Sequence, residues 1–204
     1  MLEELKERVC RANLRLVAEG LVVLTWGNVS GVDREGGRVV IKPSGVPYDG
    51  MRPEHMAVVS LADGSVLEGA LKPSSDTPTH LELYRAMDGV GGIVHTHSTY
   101  ATAWAQARRA IPLMGTTHAD TFDGPVPCSR PMTDEEIAGD YEANTGKLLV
   151  ETLAGADPLH MPAALVASHG PFAWGATPEQ AVENALILEQ VARLALLTWQ
   201  VEPY

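Results

Sequence analysis

The chain has 204 residues, 45% hydrophobic and 20% charged, which is enough for one globular domain with a sizeable core. Its formal net charge of −11 argues against nucleic acid as a partner, because affinity for a phosphate backbone rests on Lys and Arg. No apolar run approaches the roughly 18 residues that cross a bilayer, and the two cysteines, Cys10 and Cys128, make neither a disulfide framework nor a Cys-x-x-Cys pair.

The opening segment "MLEELKERVCRANLRLVAEG" mixes acidic and basic groups along an amphipathic pattern and lacks the apolar stretch of a signal peptide, which predicts a cytoplasmic protein. Leu2, Leu5, Val9, Leu16 and Val17 fall at helical spacing ahead of Gly20, so residues 2 to 19 are expected to form a helix. The β-branched runs "LVVLTWGNVS", "RVVIKP" and "MAVVSLADGSVLEG" follow. They read as antiparallel strands, the last a hairpin turning at Asp63-Gly64. "TPTHLELYRAM" starts a helix with Thr77 as its N-cap and Pro78 at the first helical position. "GGIVHTH" is the next expected strand and "STYATAWAQA" a helix, with a loop from Ile111 to Pro131 beyond it. "TDEEIAGDYEANTGKLLVETL" opens with Thr133 and Glu136 at capping-box spacing and reads as helical, although Gly139 and Gly146 weaken its continuity. "AALVAS" and "FAWG" read as strands, and Thr177-Pro178 caps a long final helix. Strands gathered in the first half, with helices between and after them, predict an α/β fold whose central, mostly antiparallel sheet is flanked by helices.

The chemistry concentrates at a few turns and strand ends. In a strand, residues i and i+2 share a face, so His95 and His97 of "VHTH" project together. His169 in "VASHGP" again stands where an apolar strand runs into a glycine. Three imidazoles could chelate one metal and leave a coordination position open. "KPSSDTPTH" puts Ser74, Ser75 and Asp76 ahead of a helix N-terminus, where free N–H groups favour an anion. "IKPSGV" offers Lys42, Ser44 and Gly45, and "TWGNVSG" offers Gly27 and Asn28. Each of these turns is ordinary alone, and the three together suggest ligand contact. Asp76 could neighbour the metal and Asp120 could be a general acid or base, but spacing alone assigns neither. His118 reads as a packing or hydrogen-bonded residue, and His55, His80 and His160 lack company of this kind.

Taken together, "LTWGNVS", "VIKPSGV", "KPSSDTPTH", "GGIVHTHS", "GTTHAD" and "SHGPFAWG" resemble the L-ribulose-5-phosphate 4-epimerase branch of the class II aldolase superfamily, in order and from Met1 to about Trp199. "TWGN" and the His-x-His pair are general to that superfamily. "KPSSDTPTH", with Asp where other branches carry Glu, and "TTHAD" point to the epimerases. The resemblance implies one domain over residues 1 to 204, assembled as a homotetramer with active sites at subunit interfaces. It implies Zn2+, with Mn2+ or Co2+ as alternatives, held by His95, His97 and His169, with Asp76 also at the metal before substrate binds. It assigns the substrate phosphate to Ser44, Gly45, Ser74 and Ser75, other substrate contacts to Gly27 and Asn28, and acid/base work to Asp120. Lys42 joins the substrate-binding group as the local positive charge.

The implied reaction interconverts L-ribulose 5-phosphate and D-xylulose 5-phosphate, in arabinose breakdown, by opening and re-forming the C3–C4 bond. The family's C-terminal tail, with a catalytic tyrosine, has no counterpart in this sequence, and Tyr204 comes too early to be equated with it. A ketose-phosphate aldolase of the fuculose-phosphate type and a non-catalytic metal-binding homologue are therefore the alternatives.

Overall fold

Leu5, Val9, Ala12 and Leu16 form the buried face of helix α1 (Leu2–Ala18) in a computed structural model that describes residues 2–201. Tyr204 lies outside the described residues. Asn13 shares the buried face, and its amide is fully used. Nδ2 donates to the carbonyls of Val9 and Val29, and Oδ1 accepts from Val29 N–H at 2.9 Å. A buried amide survives only when so satisfied, and here it ties α1 to the start of strand β1 (Asn28–Asp33).

β1 is followed by β2 (Arg38–Ile41), β3 (Ala57–Ser60), β4 (Val66–Glu68) and β5 (Gly92–His95), with β6 (Ala163–Val166) and β7 (Gly170–Gly175) near the end of the chain. These seven strands form one sheet in the order β4-β3-β2-β1-β5-β7-β6, and every neighbouring pair is antiparallel. Helices α2 (Thr77–Ala86), α3 (Thr99–Gln106), α4 (Thr116–Ala119), α5 (Asp134–Ala138), α6 (Tyr141–Thr152) and α7 (Pro178–Val201) complete the chain. α1 packs on β1, α7 lies along β5 and β7, and α2 pairs with α6. The outcome is the single-domain α/β architecture expected, with an antiparallel sheet flanked by helices. No helix among the described residues is long and apolar enough to cross a membrane.

Several boundaries differ from the sequence expectation, each for a local reason. Pairing of "LVVLTWGNVS" begins only at Asn28, because Leu24 (φ 53°) and Gly27 (φ 117°) adopt left-handed conformations that break an extended run. "GGIVHTH" stops as a strand at His95, so His97 reaches its place from beyond the sheet rather than by strand alternation. Asp76 rather than Thr77 occupies the cap position of α2; Thr77 is its first residue, and its hydroxyl donates back to Ser74 O at 2.6 Å. The expected loop from Ile111 to Pro131 contains α4 and a bridge between Ile111 and Val126. The expected helix over residues 133–153 is two helices, broken at Gly139-Asp140, with the Thr133/Glu136 capping box in place.

The core gathers Ile93, Phe172 and Trp174 of the sheet with Leu83 and Tyr84 of α2 and Leu188 and Ala192 of α7. α7 also contributes a buried carboxylate. Glu189 accepts from the N–H groups of Tyr100 and Ala101, at 2.8 and 2.9 Å, and so closes the first turn of α3 just after His97. At the other end of β5 the start of α7 presses against the strand, and a Cβ on Gly92 would lie 2.5 Å from Pro178 Cα. Because that neighbour is backbone and cannot rotate aside, Gly92→Ala should destabilise the fold by about 3 kcal/mol. Urea unfolding checks this, and an unchanged midpoint would mean that α7 can move away.

Candidate metal centre

The register of three strands builds the site. Asn28 of β1 stands opposite His95 of β5, and His95 stands opposite Phe172 of β7. The His95 ring stacks on Phe172 with centroids 4.2 Å apart. Its Nδ1 lies 3.0 Å from Pro171 O. A carbonyl only accepts, so the ring proton sits on Nδ1 and Nε2 presents its lone pair. His97 brings its own Nε2 to 3.2 Å from that atom.

His169 arrives from the turn between β6 and β7. The residue before it, Ser168, is held at φ 64° with its N–H donating to Ala105 O at 2.8 Å, a rare conformation for a side-chain-bearing residue. The His169 ring lies 4.8 Å from that of His95 and 5.1 Å from that of His97. One ligand nitrogen from each of the three falls within 4.8 Å of the others. Nitrogens at ~2.05 Å from a tetrahedral zinc are roughly 3.3 Å apart, so the His95/His97 spacing already suits one ion. Burial, reinforced by the neighbouring imidazoles, pushes His169 down to about 3 and lowers His97 as well. Both rings are therefore neutral near pH 7, as ligation requires. The donor set and its protonation fit a divalent cation.

Asp76 borders the same cavity from the N-terminus of α2. Burial alone would raise its pKa, but His95, His80 and the Asn28 amide outweigh that and hold it below the usual carboxylate range. Asn28 Nδ2 donates to Asp76 Oδ2 at 2.6 Å, which fixes the amide's orientation and leaves its buried Oδ1 without a partner among the described residues. Asn28 lines this cavity, and an unmatched acceptor on it suits a ligand hydroxyl.

The opposite wall is built from two similar turns, Lys42-Pro43-Ser44-Gly45 and Lys72-Pro73-Ser74-Ser75. They pair head to tail: Ser44 N–H donates to Lys72 O at 2.9 Å and Ser74 N–H to Lys42 O at 3.0 Å. Gly45 and Ser75 flank that pairing, and their N–H groups donate to no backbone acceptor among the described residues. The Lys42 ammonium is buried, 4.8 Å from the Tyr48 ring centroid, and burial lowers its pKa. A buried cation lining the same cavity as hydroxyls and backbone donors is suited to an anion. The cavity holding these groups encloses about 340 Å³, large enough for a small sugar phosphate.

All the sequence candidates except Asp120 therefore border one cavity. Asp120 is exposed at the end of α4, in a separate surface depression with Leu113, Phe122 and Leu159, so one chain alone does not bring it to the imidazoles. Sequence reasoning missed Trp26, which is 55% exposed at the cavity rim and edge-on to His97 at 6.4 Å, although "TWGN" contains it. It also missed Tyr48, whose hydroxyl donates to Gly27 O at 2.7 Å. Gly27 itself has no substitute, since besides its φ a Cβ would lie 2.7 Å from Val22 Cγ1 and 3.0 Å from His95 O. His118 is buried and donates through Nε2 to Gly124 O, consistent with the packing role expected of it.

An antiparallel seven-stranded sheet flanked by helices is the fold shared with class II aldolases, and here three histidines gather at the ends of its central strands. The model of the Class II Aldolase and Adducin N-terminal domain family matches residues 7–196, and the chain belongs to that family. Its fold is similar to an L-fuculose 1-phosphate aldolase, at 27% identity and a TM-score of 0.82, over 98% of this chain and 88% of that one. It is also similar to YgbL, a putative aldolase/epimerase/decarboxylase from Escherichia coli, at 27% identity and a TM-score of 0.78, over 99% and 92% of the two chains. A third similar structure, the L-fuculose-1-phosphate aldolase from Thermus thermophilus, shares 26% identity at a TM-score of 0.77, over 100% and 99%.

The buried imidazoles carry a pH signature. Burial pushes His80, which hydrogen-bonds Ser30 beneath the site, down to about 3, as it does His169. In the unfolded chain both take up protons near 6.5, so between pH 6.5 and 3 the unfolded state binds more protons and stability rises with pH. Full stability is thus present above pH 6.5 and is lost on acidification at up to about 1.4 kcal/mol per pH unit per histidine. Metal-free protein unfolded in urea at pH 7.5, 6.0 and 5.0 should show a falling midpoint. A flat profile over that range would contradict the burial of neutral imidazoles.

Proposed function

We propose that this chain is a zinc-dependent epimerase that interconverts L-ribulose 5-phosphate and D-xylulose 5-phosphate. The observation that carries this reading is a three-histidine group and a carboxylate on one side of a cavity whose other side is a buried lysine between paired Lys-Pro-Ser turns. The relatives' names, aldolases and a putative aldolase/epimerase/decarboxylase, support carbon–carbon chemistry on a sugar phosphate. Asp76, in place of the Glu of other branches, together with "TTHAD", supports the epimerase over the aldolase.

The hydrogen on C4 of such a pentulose is two carbons from the carbonyl and is not acidic enough to be removed directly. Cleaving C3–C4 avoids the difficulty. The C4 hydroxyl loses its proton to a base and becomes an aldehyde, while the C3–C4 electron pair moves toward the C2 carbonyl. A divalent cation held by His95, His97 and His169 supplies Lewis-acid stabilisation of the charge that develops there. Ser44, Ser74, Ser75, the Gly45 backbone and Lys42 hold the phosphate, so the aldehyde fragment can rotate without leaving. Asn28 Oδ1 accepts from a substrate hydroxyl beside Gly27, and Asp76 stays ionised near the imidazoles. Asp120 exchanges the proton at the C4 oxygen of a neighbouring copy's substrate, in keeping with its exposed position and with a homotetramer whose sites lie at subunit interfaces. Re-forming the bond on the other face of the aldehyde inverts C4.

The second reading is a ketose-phosphate aldolase that releases the aldehyde, favoured by fuculose-phosphate aldolases among the similar structures. Incubating zinc-loaded protein with L-ribulose 5-phosphate separates the two. An epimerase accumulates D-xylulose 5-phosphate and releases little glycolaldehyde phosphate to a coupled dehydrogenase, whereas an aldolase reverses that ratio. Absence of both products with zinc, manganese and cobalt would dispose of either reading.

Two substitutions test the residue roles. His97→Ala should lose most of the bound metal by elemental analysis. Asp120→Asn should keep its metal and lose about 100-fold or more in rate, the ordinary worth of a positioned acid/base. Full metal content in the first variant, or full rate in the second, would withdraw the corresponding assignment.

A further inference from the structure

We infer that Tyr141 is a positioning residue for the metal centre, fixing the tautomer and ring orientation of His169. This inference rests on the metal-site reading above and extends it to a residue outside the cavity wall. The Tyr141 hydroxyl lies 3.2 Å from His169 Nδ1, and the two ring centroids are 6.0 Å apart.

The polarity of that hydrogen bond decides what His169 can do. If the phenol donated to Nδ1, the ring proton would sit on Nε2 and occupy the lone pair that a metal needs. If Nδ1–H donates to the phenol oxygen, Nε2 keeps its lone pair free on the far side of the ring from the tyrosine. Only the second arrangement is compatible with an ion at Nε2. The tyrosine oxygen then does for His169 what the Pro171 carbonyl does for His95, where the acceptor leaves no choice of tautomer. Partners of this kind, hydrogen-bonded to the far nitrogen of a ligand, orient the ring and strengthen it as a ligand.

The placement of Tyr141 owes nothing to a metal. It is the first residue of α6, immediately after the break at Gly139-Asp140, and Asp140 caps that helix by accepting from Ala143 N–H. Thr145 Oγ1 donates to the Tyr141 carbonyl at 2.8 Å. One residue on, Thr79 Oγ1 of α2 donates to Glu142 O at 2.6 Å. Farther along, Gly146 lets the two helices touch, since a Cβ there would lie 2.6 Å from Glu82 Cβ and 2.9 Å from Thr79 O. α2 carries Asp76 at its N-terminus, so the same helix pair delivers both a carboxylate and a phenol to the three imidazoles. The phenol is therefore held ready before any ion arrives.

Tyr141→Phe removes only the oxygen and keeps the ring. Zinc affinity of wild type and variant is measured by competition with a chelator, and the ¹⁵N shifts of the His169 ring are recorded in metal-free and zinc-loaded protein. The variant should bind zinc about 10- to 100-fold more weakly. Its metal-free His169 should move from a proton on Nδ1 toward one on Nε2, a change that a merely structural role would not produce. A variant that binds within twofold of a tight-binding wild type, with the same tautomer, overturns the inference. A wild type that binds no zinc instead overturns the metal reading itself. Should Y141F fail to fold, the wild-type spectrum still decides, because zinc on Nδ1 of His169 would be incompatible with the proposed bond.

Discussion

The register that sets Asn28 opposite His95 and His95 opposite Phe172 is the constraint on which the site depends. Side chains alternate between the two faces of a sheet, so a slip of one residue in either pairing would turn His95 to the other face. Three features hold the register. The Asn13 amide grips Val29 at both its N–H and its carbonyl. Gly27, directly before the strand, brings its own carbonyl to the Tyr48 hydroxyl and packs beside the His95 carbonyl. On the far side, His95 itself bonds to Pro171 O and stacks on Phe172. A proposed metal ligand is thus also one of the residues that lock the sheet.

That double use has an electrostatic cost. Burial disfavours the charged forms of His97 and His169, the Lys42 ammonium loses hydration, and Asp76 keeps its charge only because of what surrounds it. An interior that holds an ionised carboxylate near the neutral rings of His97 and His169, with a cation lining the same cavity, is incomplete by the rules that govern buried charge. A divalent ion at the nitrogens and an anion at Lys42, as proposed, would each offset part of that cost. A net charge of −11 is compatible with the proposed anion site, since the positive charge need only be local and desolvated.

How much of this was legible in the sequence follows from where each signal lies. Helix α1 and strands β2, β3 and β5 announce themselves by periodicity, and the Lys-Pro-Ser turns by composition. The resemblance then arranges the turns around the histidines. Two kinds of information were not local. His95 and His97 do converge, but the strand ends between them, so the alternation that suggested the pair is not what assembles it. Asn13, Tyr48 and Tyr141 act on partners 16, 21 and 28 residues away, and no pattern in their own neighbourhood marks them. Asp120 shows the converse limit. Its motif singles it out, yet its surroundings within one chain do not reach the imidazoles.

The site lies where two packing units meet, the sheet and the α2–α6 helix pair. The sheet contributes His95, with His97 and His169 on the turns that leave β5 and enter β7. The α2–α6 pair contributes Asp76 and Tyr141 from two adjacent helix N-termini. Neither unit holds a complete site. The sheet is tied to α2 by Ser30 of β1, whose hydroxyl hydrogen-bonds His80 and Tyr84, and α6 is held to α2 by the contact at Gly146. Ligand binding across such a junction draws on the free energy that holds the units together, because an ion shared between them favours only the docked arrangement. By the same linkage, a substitution that loosens α2 against α6 weakens the metal centre without touching a ligand.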